Sequence, residues 1–98
     1  MPFLTESLPS VVLTFLGARY AGQPFAAKHL ARAADATPRA AENWLAGLAC
    51  PSGDRLAALM ATHPDLEQAI IDHVHRVRAS TEEAAQASAR ARARAMGA

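Results

Sequence analysis

The stretch Phe25-Ala26-Ala27-Lys28-His29-Leu30-Ala31-Arg32-Ala33-Ala34-Asp35-Ala36-Thr37-Pro38-Arg39-Ala40-Ala41-Glu42-Asn43-Trp44-Leu45-Ala46-Gly47 reads as two short helices joined by a tight break. Residues 24–34 place Ala27, Leu30, Ala31 and Ala34 on an apolar face, with Lys28, His29 and Arg32 on its flanks. Asp35-Ala36 interrupts the pattern. Thr37-Pro38 then supplies a hydroxyl for the helix cap and a proline for the first helical position. Residues 38–46 follow as a helix with Ala41, Trp44 and Leu45 apolar and Arg39, Glu42 and Asn43 on the other side, closed by Gly47. Small Ala31 lets the two helices approach, and Leu30, Ala34, Ala36, Ala41 and Trp44 provide the apolar contacts between them and the body. A short turn of this kind holds the second helix of the pair proud of the domain, where its first turns can enter a DNA major groove.

Proline and glycine divide the rest of the chain. Upstream, Leu8-Pro9-Ser10 opens a helix whose Leu8, Val12, Phe15 and Leu16 recur at helical spacing, and Gly22 ends it after Tyr20. Pro24 is expected to start the next. Downstream, Leu48-Ala49-Cys50-Pro51 is a loop, Ser52 stands as a cap, and residues 53–62 form a helix burying Leu56, Leu59 and Met60. Pro64 opens a fifth helix with Leu66, Ile70, Val74 and Val77 in a stripe and an Asp72–Arg76 pair on its exposed side. Ser80-Thr81-Glu82-Glu83 matches a capping box, so a separate helix can begin there; equally, Arg78 and Glu82 can pair inside one long helix. From Ala84 onward only Met96 is both large and apolar. The expected organisation is therefore a helical domain over residues 1–78 and an Ala/Arg-rich extension, helical or partly disordered, over residues 79–98.

Composition agrees with an all-α fold. The chain has 98 residues, enough for one domain. Hydrophobic residues make up 51% of it but aromatics only 5%, because alanine, the strongest helix former, supplies roughly a quarter. A β-sandwich, a barrel and a disordered acidic tail are excluded. With a net charge of +1, binding to nucleic acid has to come from a local surface rather than a global field. Cys50 is the only cysteine, which rules out an internal disulfide and suits a reducing compartment. The apolar run Val11-Val12-Leu13-Thr14-Phe15-Leu16 is too short to span a bilayer and no basic start precedes it, so a cytoplasmic protein without a membrane partner is expected.

The chain resembles the lambda-repressor-like family of helix-turn-helix proteins, the phage repressors and Cro. The family skeleton stands here as Leu30-Ala31, Thr37, Trp44-Leu45, Gly47 and Pro51-Ser52, and Leu56 and Leu59 continue it; the likeness covers about residues 8–75. It departs from the pattern at Asp35, where the family often has glycine, and at Pro38, where a polar base-contacting side chain is common. The resemblance implies a five-helix DNA-binding domain acting as a small, phage-like transcriptional repressor on double-stranded DNA. Its base-contacting surface would be Thr37, Pro38, Arg39, Glu42, Asn43 and Ala46, with Gln23 and Lys28 near phosphates. The chemistry independently suits Arg39, whose fork matches guanine, and Asn43, which can pair with adenine. Glu42 can accept from cytosine or restrain Arg39 one turn earlier.

Family members commonly bind as dimers on two half-sites, which makes a homodimer the expected state. The candidate seam is Leu66, Ile70, Val74 and Val77, continued by Thr81, Ala84 or Ala85, and Ser88. RNA polymerase or another protein is a further partner in such a role. The rival reading is a helical interaction or adaptor module that does not read DNA, which the small net charge and Pro38 favour.

Other conspicuous residues carry bland readings. Trp44 lies on the apolar side of a short helix and reads as core rather than as a base-stacking ring. His73 and His75 diverge on a helix, and His29 and His63 have no thiolate or carboxylate cluster near them in sequence, so no metal or cofactor is expected. Cys50 reads as a loop thiol. Arg90, Arg92 and Arg94 swing around a helix instead of forming one stripe, and mainly keep an alanine-rich tail soluble. No constellation supports catalysis.

Overall fold

Ser7, in extended backbone, opens the first helix: its hydroxyl oxygen accepts the Ser10 amide at 3.2 Å, and Pro9 sits where a missing N–H does no harm. The computed structural model describes residues 7–97, which form five helices and no strand. These are α1 (Leu8–Tyr20), α2 (Ala26–Ala34), α3 (Pro38–Leu45), α4 (Gly53–Thr62) and α5 (Pro64–Gly97). No helix among the described residues is long and apolar enough to cross a membrane.

The punctuation expected from sequence holds at most boundaries and shifts at one. α2 starts at Ala26 and not at Pro24, because the chain takes a left-handed step at Phe25 (φ 57°, ψ 34°) before turning helical. At its other end Asp35 is also left-handed (φ 54°), and the Ala36 amide donates to the Ala31 carbonyl at 2.8 Å while the Asp35 amide donates to Arg32 at 3.3 Å. This is a Schellman closure, and it is the position at which the family pattern favours glycine. Aspartate accepts it at a cost of about 1 kcal/mol. Thr37 then caps α3, its hydroxyl oxygen accepting the Ala40 amide at 3.1 Å. A second Schellman closure, around left-handed Gly47 (φ 76°), ends α3 through Leu48 N–H to Asn43 O at 2.9 Å.

One core joins all five helices. Val12, Leu16 and Tyr20 of α1 meet Leu30, Ala31 and Ala34 of α2, Ala41 and Trp44 of α3, Leu59 of α4, and Leu66 and Ile70 of α5. The small side chains Ala31, Ala34 and Ala41 bring α2 and α3 together, with α1 across α3 and α5 and α4 against α2 and α5.

His63, between α4 and α5, is buried inside this body, a role the sequence does not suggest. The Leu59 carbonyl can only accept, so His63 Nδ1, 3.1 Å away, carries the proton. Nε2 is then left to accept the Tyr20 hydroxyl at 2.9 Å, and the Phe15 ring meets the imidazole edge-on. Residues 43 apart thereby pin α1 to the α4–α5 junction. Burial pushes the Tyr20 phenol above its usual ionisation, only partly offset by the Arg19 guanidinium beside it. The neutral phenol is thus the form the fold favours. Its contribution is complete below the unfolded tyrosine pKa of about 10 and is lost as the pH rises through the higher folded value. Because Tyr20 is the only tyrosine, alkaline spectrophotometric titration reads it directly. Phenolate is expected at higher pH than in the denatured chain, with helix loss accompanying it; coincident titrations of the two states would contradict this.

α5 settles the open question about the C-terminal part. It is one uninterrupted helix of 34 residues, so the boundary expected at 78/79 falls inside it and the Ser80 capping box is not used. Alanine-rich sequence propagates an existing helix more easily than it nucleates a new one. The last buried residue is His73; from Val74 onward about 35 Å of helix projects from the body, giving overall extents of 65 × 23 × 19 Å.

The stripe proposed as a dimer seam is accordingly divided. Leu66 (0% exposed) and Ile70 (9%) are consumed by the chain's own core and cannot form a free seam, whereas Val74 (44%) and Val77 (41%) lie outside, beside Ile71 (37%). The periodicity is continuous, but the body that covers it stops after His73. The expected Asp72–Arg76 pair does not form either: Asp72 accepts from Gln68 Nε2 at 2.9 Å. The ion pair found within 4 Å among the described residues is Arg55–Asp35 at 3.7 Å, exposed on both sides and of little energetic weight.

Candidate functional site

Burial of one side of α3 determines what its other side presents. Ala41 and Trp44 point into the core, so Arg39, Glu42 and Ala46 lie together on the opposite, exposed face, with Thr37 and Pro38 exposed at its start. Asn43 lies at the edge of this face and is half-buried. Arg39 and Glu42 form no ion pair within 4 Å, which leaves the Arg39 guanidinium fork free to be used elsewhere. The Thr37 hydroxyl oxygen is occupied as the cap, while its O–H remains available as a donor.

The two residues assigned to phosphates differ in standing. Lys28, on the first turn of α2, is exposed and holds its ammonium 5.5 Å from the centre of the Phe25 ring. No side chain caps the start of α2, so the positive end of that helix is open beside Lys28. Gln23 is half-buried and spends its Nε2 on the Arg19 carbonyl at 3.0 Å, closing the end of α1. It is a part of the α1–α2 turn first.

Sequence reasoning passed over Phe25 and Leu48, which are 71% and 78% exposed at the two ends of the α2–α3 unit. For Leu48 a signal existed, since it follows the helix-ending Gly47. For Phe25 none did, because a bulky residue in left-handed backbone is unusual and has no sequence signature. The Arg55–Asp35 pair places a further cation beside the turn and offsets the Asp35 charge there. Among the described residues no group of three His, Cys, Asp or Glu side chains gathers at metal-binding spacing. The chain matches no protein-family model, no curated protein and no solved structure.

Proposed function

We propose that the chain is a sequence-specific regulator of transcription that binds double-stranded DNA through a lambda-repressor-like helix-turn-helix, with α3 in the major groove. The observation that carries this reading is the junction itself. A left-handed Schellman turn at Asp35 passes within two residues to a Thr37-capped helix, anchored inward by Ala41 and Trp44 and offering Arg39 and Glu42 outward. In this reading Arg39 forks onto guanine O6/N7, Asn43 reaches adenine from the edge of the face, and Glu42 accepts from cytosine N4. Pro38 and Ala46 supply apolar surface and Thr37 a donor. Lys28 and the open start of α2 hold the phosphate backbone, with Gln23 secondary. Occupancy of an operator in the cytoplasm by such a domain represses by excluding RNA polymerase.

The test is binding to duplex DNA over a salt series. Affinity is expected to fall steeply with salt as released counterions are restored, and Lys28→Ala is expected to weaken all sequences alike and reduce the logarithmic slope by about 1. Salt-insensitive or absent binding contradicts the reading. It would favour instead a protein-interaction module, which exposed Phe25 and Leu48 would suit.

The working form is proposed to be a homodimer that places two copies of α3 on two half-sites. Its seam would be Val74 and Val77 with Ile71, since Leu66 and Ile70 are already buried. Beyond Val77 the same face carries only Thr81, Ala84, Ser88 and other small residues, which pack without deep interdigitation. Sedimentation is expected to show a dimer that survives truncation after Ala79 and is lost in Val74→Asp/Val77→Asp. A dimer lost only with the tail would move the seam further along α5, and a monomer at all concentrations, free and on DNA, would remove it.

A further inference from the structure

Between the first turn of α1 and the loop leading into α4 lies an apolar groove of about 360 Å³, walled by Leu8, Pro9, Val12, Cys50, Pro51 and Leu56. It is separate from the α2–α3 face, none of whose residues lines it. Val12 is fully buried and Pro51 buried, while Leu8 remains 37% exposed on the wall nearest the chain's entry into α1. Chain arriving at Ser7 therefore comes in at the side of an apolar trough. The residues that precede it are Met1-Pro2-Phe3-Leu4-Thr5-Glu6, with two large apolar side chains adjacent to each other and no side-chain charge before Glu6.

We infer that this groove is the seat of Phe3 and Leu4, folded back from Ser7 across Leu8 onto Val12, Pro51 and Leu56. Reach permits it: the four residues from Phe3 to Glu6 span at most about 14 Å, and the near wall of the groove is Leu8 and Pro9 themselves. Chemistry favours it, since an empty apolar trough beside two apolar side chains leaves both surfaces in water. Tethering favours this occupant over any free one, because the segment meets the groove as part of the same molecule. Seated there, it ties the entry of α1 to the α3–α4 loop and covers the Cys50 thiol, whose burial already pushes its ionisation upward.

Cys50 is the only cysteine and so reports on the groove without ambiguity. The rate at which an aromatic disulfide modifies it under native conditions is to be compared between the full chain and Phe3→Ser/Leu4→Ser, at two protein concentrations. The double variant is expected to react roughly fivefold faster or more while still melting cooperatively. Equal rates overturn the inference. So does a full-chain rate that falls as protein concentration rises, since the cover would then be a second molecule. An independent readout does not need the variant to fold: NMR of the full chain is expected to show cross-relaxation between the Phe3 ring and the methyls of Val12 and Leu56. Its absence overturns the inference as well.

Discussion

Trp44→Ala is expected to lower stability by about 3–5 kcal/mol and to leave little folded protein at ambient temperature. The indole is 6% exposed and belongs to the cluster shared by all five helices, so its removal opens a void at the base of α3. The surroundings have limited means of closing it. Ala31, Ala34 and Ala41 are already at the smallest useful size and the α2–α3 approach depends on them. The body that has to absorb the loss ends near His73, because the rest of α5 is exposed and contributes no core. A small domain has only about 5–15 kcal/mol in hand. Denaturant unfolding followed by helix signal measures the effect, with Trp44→Phe as a milder control that keeps a ring in place. A Trp44→Ala protein that unfolds like the parent, yet fails to bind DNA, would reassign the ring from core to contact surface.

Where the sequence could be read, local chemistry decides the structure. Ser52, Gly53 and Pro64 bracket α4, and its bounds, Gly53–Thr62, are those the punctuation predicts. Thr37-Pro38 likewise starts α3, because a hydroxyl cap and a proline at the first helical position act within four residues. The start of α2 was not legible in the same way. Pro24 is a good opening signal, but the left-handed turn at Phe25 is imposed by how α2 must leave α1, which no neighbouring residue announces. The Tyr20–His63 hydrogen bond is invisible for a related reason, joining positions 43 residues apart that share no pattern. The α5 stripe misled differently. Helical periodicity says which residues share a face but not how far the opposing surface extends, so Leu66 and Ile70 look the same as Val74 and Val77 until the end of the body is known. For the candidate site, placing Trp44 inward is enough to put Arg39, Glu42 and Ala46 outward, since a helix of eight residues has few ways to orient. The half-burial of Asn43 and the engagement of Gln23 by Arg19 depend on neighbouring elements and could not be anticipated.

Arg39→Ala is expected to cost about 1–3 kcal/mol on the preferred DNA site, roughly five- to hundredfold in affinity, and much less on random duplex. Arg39 is the second residue of α3, exposed and without an ion-pair partner, at the end of the helix that would meet base edges first. Its planar fork offers two parallel donors that match guanine O6 and N7, a geometry lysine cannot reproduce. Arg39→Lys is therefore expected to keep the charge, and with it most non-specific affinity, while losing discrimination at one base pair. The measurement is competition binding on a selected site and on a scrambled duplex at one fixed salt concentration, since affinities at different salt are not comparable. Stability is not expected to change, because the side chain touches nothing that holds α3 in place, and a melting curve separates this effect from unfolding. Equal losses on both duplexes would make Arg39 a phosphate contact. The base-reading surface would then have to lie further along α3, at Glu42, Asn43 and Ala46.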